Sequence, residues 1–188
     1  PDLYARVAVR AGSGGILLVV PYQSRTLQEL PAAHPALFIV IEGVEKPGTL
    51  GAILRTADAA GVTGAIVTAG ATDIHNPNVL RASLGAFFTV PLCESEPDAT
   101  IAWLKARAVR ILVGTPEAHV RYTDADMTGP VALVLGSEAD GVSEQFRAAA
   151  DSELAIPMRG VVDSLNLATS AALLLYEAVR QRSHTAPA

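Results

Sequence analysis

Short apolar blocks alternate along the chain with longer segments that mix apolar and polar residues. Leu37–Ile41 (LFIVI) is a continuous apolar run, the form of a strand buried on both faces. Leu50–Ala60 then reads as a helix ended by Gly61. Ala65–Thr68 is the next predicted strand, Val79–Phe87 a helix with Arg81 on its polar side, and Thr89–Leu92 a strand. Thr100–Ala108 (helix), Arg110–Gly114 and Val131–Leu135 (strands), Ser143–Ala149 (short helix) and Glu153–Ile156 (strand) continue the alternation. The last and longest helix is predicted from Ser164 to about Arg182, with Ser164 as its N-cap and basic residues in its final turn. This order predicts an α/β fold: a mainly parallel sheet with helices on both faces.

The ends read differently. Gly12–Gly15 is expected to be flexible, Ile16–Val20 to form a strand, Pro31–Pro35 to be a linker, and the tail SHTAPA to fray. Residues 1–35 are therefore read as the end of a truncated N-terminal domain plus linker, and residues 36–188 as one catalytic-size domain.

Composition narrows the function classes. The 188 residues, half of them apolar, suffice for one well-buried core. No apolar run reaches the roughly 18–20 residues of a membrane span, and no apolar leader is visible near the start. Cys93 is the single cysteine, so a disulfide framework and a multi-cysteine zinc site are excluded, and a reducing cytoplasm is expected. His34, His75, His119 and His184 show no metal-ligand spacing, and no metal is expected. The net charge of -5 argues against tight non-specific binding to nucleic acid. Yet twelve of the fourteen basic residues are Arg, the side chain best shaped for phosphate; Arg55, Arg81, Arg121 and Arg159 could share a face.

Three segments carry candidate chemistry. In the first, Glu45-Lys-Pro-Gly-Thr-Leu-Gly-Ala-Ile-Leu-Arg55 joins a strand to a helix through a Pro-Gly turn. Taken alone it is an ordinary connector, with Arg55 a solvated helix residue. In the second, Gly136-Ser-Glu138-Ala-Asp-Gly141 follows an apolar strand; it has neither the P-loop Lys nor the dinucleotide glycine spacing. Glu138 by itself suits a loop carboxylate. In the third, Ile156-Pro-Met158 leads through a glycine-containing loop into Ser164-Leu165-Asn166 and an Ala-rich helix.

Together these segments resemble the three motifs of the SpoU/TrmH branch of the SPOUT RNA methyltransferases. A further likeness lies in Arg81-Ala-Ser83-Leu-Gly85, and the resemblance spans roughly Gly15–Arg182. It implies a C-terminal trefoil knot, which periodicity alone could not predict. It also implies S-adenosyl-L-methionine as cofactor and ribose 2′-O-methylation of RNA, rRNA favoured over tRNA. The resemblance marks Arg55, Asn166, Ser164, Glu138 and Thr49 as the catalytic set. Thr49 stands where relatives carry Asn. The cofactor pocket is expected from Thr115, Leu135, Gly136, Ile156, Met158 and Leu165, and a homodimer is expected to complete the site. The first 35 residues then correspond to the end of an RNA-recognition domain. Two rival readings stay open: a non-catalytic RNA- or ribosome-binding protein that keeps the fold, and a generic nucleotide-binding α/β enzyme.

Overall fold

In the computed structural model every residue of β1 (Leu37–Glu42) is buried. The structure describes residues 25–185 and, before them, Tyr4, Arg6, Ile16, Leu18, Val19 and Pro21. Strand β1 pairs in parallel with β2 (Gly64–Thr68) on one side and β6 (Val131–Leu135) on the other. The sheet extends through β3 (Leu92–Glu94) beyond β2, and through β4 (Arg110–Gly114), β7 (Ser152–Ala155) and β5 (Val120–Arg121) beyond β6. The order is β3-β2-β1-β6-β4-β7-β5, and every adjacent pair is parallel.

Alternation along β1 divides the core in two. Leu37, Ile39 and Ile41 face one apolar cluster, while Phe38 and Val40 face the other. The first cluster is closed by α1 (Pro47–Ala60), α2 (Pro77–Ala82), α3 (Ala86–Thr89) and α6 (Leu167–Thr185); the second by α4 (Pro97–Ala106) and α5 (Glu144–Ala149). The expected sheet with helices on both faces is what the chain forms. Helix α1 begins with Pro47 in its first turn and ends at Gly61, whose φ of 66° is the left-handed cap position. Gly51 lets α2 lie close against α1: a Cβ there would meet the Cβ of Ala82 at 2.6 Å and the carbonyl of Val79 at 2.7 Å.

Several boundaries differ from the sequence reading. The helix expected over Val79–Phe87 is two, α2 and α3, because Leu84 and Gly85 take positive φ values of 51° and 98°. Helix α3 consumes Thr89, so the strand expected at Thr89–Leu92 begins only at Leu92. The helix expected over Thr100–Ala108 runs Pro97–Ala106 instead. Strand β5 was not predicted; at two residues it is too short to carry a period. Ser164 is not the N-cap of the last helix. That role belongs to Asn166, whose Oδ1 accepts from the Thr169 amide at 2.9 Å. Ile16, Leu18 and Val19 carry no strand, and Leu17, Val20 and Gly12–Gly15 lie outside the described residues. Of the tail, Ser183–Thr185 continue α6 and residues 186–188 lie outside the described range.

The C-terminal helix is tied down at its far end. Arg182 donates to the carbonyls of Pro35, Ala36, Met127 and Gly129 at 2.8–3.0 Å. Its guanidinium thereby joins the lead-in to β1 and the loop before β6, with burial drawing its pKa below the usual Arg value. Gln181 adds a reciprocal pair, accepting from Met127 N at 2.7 Å and donating to Ala125 O at 2.9 Å. Arg182→Ala strands several carbonyls at once and is expected to cost about 2–4 kcal/mol of stability. The urea midpoint reads this directly, and a cost below about 0.5 kcal/mol would show that other groups hold the helix.

Candidate active site

Four loops meet at the carboxyl ends of neighbouring strands, where open α/β sheets place their ligand crevices. Because β1, β6, β4 and β7 are adjacent, the segments after Glu42, Leu135, Gly114 and Ala155 come together despite wide separation in sequence. The loop after β6 is the most constrained. A Cβ on Gly136 would lie 1.9 Å from the carbonyl oxygen of Gly141 and 2.3 Å from the amide of Val142, so the loop folds back directly over the strand end. Gly141, at φ 69°, returns its amide to Ser137 O at 3.1 Å, and Asp140 N donates to Ser137 Oγ at 2.9 Å. Buried Glu42, at the end of β1, accepts from Ser143 N at 2.8 Å and fixes the loop's far end.

Two cavities flank this loop. The larger, about 330 Å³, is walled by Leu135, Ile156, Met158, Leu165 and Leu174, with Gly114–Glu117 and Gly136–Val142 supplying backbone groups at its mouth. That volume falls at the lower end of the roughly 300–1,000 Å³ of small-molecule sites. Its charged lining is mainly acidic: Glu117, Glu138, Asp140 and Asp163 against Arg147. Arg147 is already engaged by Glu153 in a two-pronged contact at 2.9 and 3.2 Å. Thr115 anchors its own loop, donating its amide to Leu154 O at 2.9 Å and its hydroxyl to Glu117.

The smaller cavity, about 270 Å³, is lined by Val44, Lys46, Thr49, Ser137, Glu138 and Leu167, among others. Glu138 stands between the two. Its Oε2 accepts from Lys46 Nζ at 2.8 Å, and its Oε1 lies 3.5 Å from the Leu167 amide, at the outer limit of a hydrogen bond. Lys46, then the Leu167 amide, hold the Glu138 carboxyl below its ordinary pKa. With side chains 69% and 42% exposed, the ion pair is solvated and adds little to stability.

A sequence profile of the SpoU rRNA Methylase family matches residues 36–176. The chain belongs to this family. It is 36% identical over 173 residues to a 23S rRNA (uridine(2479)-2'-O)-methyltransferase of Streptomyces viridochromogenes, covering 89% of this chain and 60% of that protein. It is 38% identical over 164 residues to the 23S rRNA (guanosine-2'-O-)-methyltransferase RlmB of Escherichia coli, covering 86% of this chain and 68% of that one. The chain thus spans about 60% of the length of the Streptomyces relative. Among solved structures, the SpoU methyltransferase AviRb from Streptomyces viridochromogenes in complex with AdoMet superposes with a TM-score of 0.82 at 33% identity, covering 86% of this chain and 63% of that one.

All six residues assigned to a cofactor pocket from the SpoU resemblance (Thr115, Leu135, Gly136, Ile156, Met158 and Leu165) line the larger cavity, and Ser164 and Glu138 line it with them. Glu138 and Thr49 line the smaller. Arg55 and Asn166 line neither: Arg55 is exposed on α1, and Asn166 caps α6. Arg81, Arg121 and Arg159 are likewise exposed. His75 sits apart, its ring edge-on to Phe87 at 5.3 Å. Cys93 is fully buried in the second core cluster, and burial pushes its thiol up to about 12, so no reactive thiolate forms. Sequence reasoning passed over Lys46, Glu117, Asp163 and Ser170. Only Lys46 had a visible signal, as one of two lysines and placed inside the first motif.

Gly136→Ala forces the loop off the strand end, because the obstacle is backbone rather than a flexible side-chain tip. A loss of about 1–3 kcal/mol in urea unfolding is expected. Parental stability would mean that residues 137–142 shift without resistance.

Proposed function

We propose that this SpoU-family chain is the catalytic domain of an S-adenosylmethionine-dependent RNA ribose 2′-O-methyltransferase, with rRNA as substrate. One observation carries the reading: three loops distant in sequence build a single cavity from Thr115, Leu135, Gly136, Ile156, Met158 and Leu165. The curated relatives that act on 23S rRNA support the substrate class. A deep trefoil knot, formed where the 156–166 segment passes the other strand-end loops, is part of this proposal, as are a homodimer and a cytoplasmic setting.

The lining fits the cofactor chemically. Leu135, Ile156, Met158, Leu165 and Leu174 offer apolar walls to an adenine ring, and the backbone groups of Gly114–Thr115 and Leu135–Gly136 can read its edge. S-adenosylmethionine supplies a methyl group activated by a cationic sulfonium, and the surplus of Glu117, Asp140 and Asp163 favours a cation there. The protein's task is then positioning and electrostatics. Glu138, held by Lys46 and the Leu167 amide, orders the loops at the cavity wall, and Ser164, which lines it, and Asn166 orient the substrate and loop from the start of α6. Thr49, in the adjoining cavity, offers a hydroxyl where relatives carry Asn.

Arg55 is proposed to hold an RNA phosphate and stabilise the alkoxide that develops at the ribose oxygen. A guanidinium does not deprotonate in proteins and so is not a general base. Its exposed position outside both cavities supports a role in the partner subunit's site rather than its own.

Calorimetry with S-adenosylmethionine, ATP and NAD tests the cofactor, and transfer of a tritiated methyl group to unmodified 23S rRNA or tRNA tests the reaction. Selective S-adenosylmethionine binding with transfer to rRNA is expected. Cofactor binding without transfer to any RNA would favour a binding protein instead. Arg55→Ala is expected to slow transfer about 100- to 1000-fold at saturating cofactor. Arg55→Lys should recover part of the rate, since an ammonium cannot make the two-pronged phosphate contact. Near-parental turnover in Arg55→Ala removes this residue from the mechanism.

A further inference from the structure

The smaller cavity shares Ser137, Glu138, Ala139 and Leu167 with the larger one, so the two adjoin along one loop and the start of α6. In-line methyl transfer brings nucleophile and methyl carbon to about 3–3.5 Å with nothing between them, so the target ribose must sit in space that adjoins the cofactor cavity, as the smaller cavity does at Glu138 and Leu167. On the far side of the loop, Lys46 is the one cation lining the smaller cavity, among the described residues. Its ammonium faces Glu138, yet it is 69% exposed and so can exchange partners at little cost. A flexible point charge on a four-carbon stem suits that exchange. The chain's net charge of -5 repels a polyanion overall, so docking depends on cations placed locally at the site.

We propose that the smaller cavity seats the target nucleotide and that Lys46 is its phosphate ligand, passing from Glu138 to the RNA as the strand docks. This inference rests on the methyltransferase reading above. It adds a residue of this chain, Lys46, to substrate binding, and gives Thr49 a place beside the same nucleotide. The carboxylate that Lys46 leaves keeps the Leu167 amide as a partner, so the loop is not abandoned when the exchange occurs.

The test uses the full-length gene product, filter binding to transcribed, unmodified 23S rRNA over a salt series, and calorimetry with S-adenosylmethionine. Lys46→Met is expected to weaken RNA binding about tenfold and to flatten the slope of log affinity against log salt by about 0.7–0.9, one phosphate contact. Cofactor affinity should stay within about twofold of parent. Lys46→Arg should restore most of both RNA readouts. Glu138→Gln releases Lys46 from its partner, so RNA binding should hold or tighten. If Lys46 merely braced the Glu138 loop, Lys46→Met and Glu138→Gln would act alike, weakening cofactor binding with an unchanged salt slope; that pattern overturns the inference. A parental RNA affinity and slope in Lys46→Met overturns it as well, even with methyl transfer intact. Failure of the parent protein to bind cofactor in the calorimetry arm would instead bring down the methyltransferase reading, and this inference with it.

Discussion

The site depends on one close approach of backbone to backbone, where the chain leaves β6 at Gly136 and turns back over itself. Only a residue without a Cβ permits that turn, since any side chain would overlap the Gly141 carbonyl. The fold-back lets Ser137–Ala139 line both cavities and leaves the end of β6 open to a ligand. Glu42 and Ser143 then fix the far end of the turn through a partly buried hydrogen bond. The loop is thus held from both ends by groups belonging to the sheet. Pre-organisation of this kind is what a site needs when its work is positioning rather than bond chemistry.

Sheet order explains why such a loop meets the right neighbours. Strands β6, β4 and β7 lie side by side, so the loops after residues 114, 135 and 155 share one rim. Strand β1, on the other side of β6, brings Lys46 and Thr49 to that rim. The C-terminal helix closes the arrangement at Leu167 and is clamped at its other end by Gln181 and Arg182. The network around the cavities is polar and solvated, whereas the clamp is partly buried. Stability and site chemistry are therefore carried by different residues of the same helix.

Much of this was legible from residue order. Apolar runs such as LFIVI and VALVL gave β1 and β6 their places because a strand buried on both faces leaves an unbroken signature. The lining of the larger cavity was legible through the SpoU resemblance, as each of the six expected residues sits at or just beyond a strand end or in the loop leading into α6. What escaped was decided by local backbone geometry or by tertiary contact. The break between α2 and α3 turns on a left-handed Leu84, a conformation that leucine rarely adopts. Ser164 and Asn166 are both good caps, and only the path of the loop chooses Asn166. Lys46 escaped because its partner, Glu138, lies 92 residues away, beyond the reach of any local pattern.

The central claim is that three strand-end loops build one S-adenosylmethionine site. Titrating the isotopically labelled protein with S-adenosylmethionine and following amide resonances by NMR addresses it most directly. Saturable shifts should concentrate at Thr115, Gly136 and Leu165, one residue from each loop, while Trp103 and its neighbours in the opposite core stay still. Shifts clustered around Trp103 or spread over the surface, with those three amides unmoved, would contradict the account.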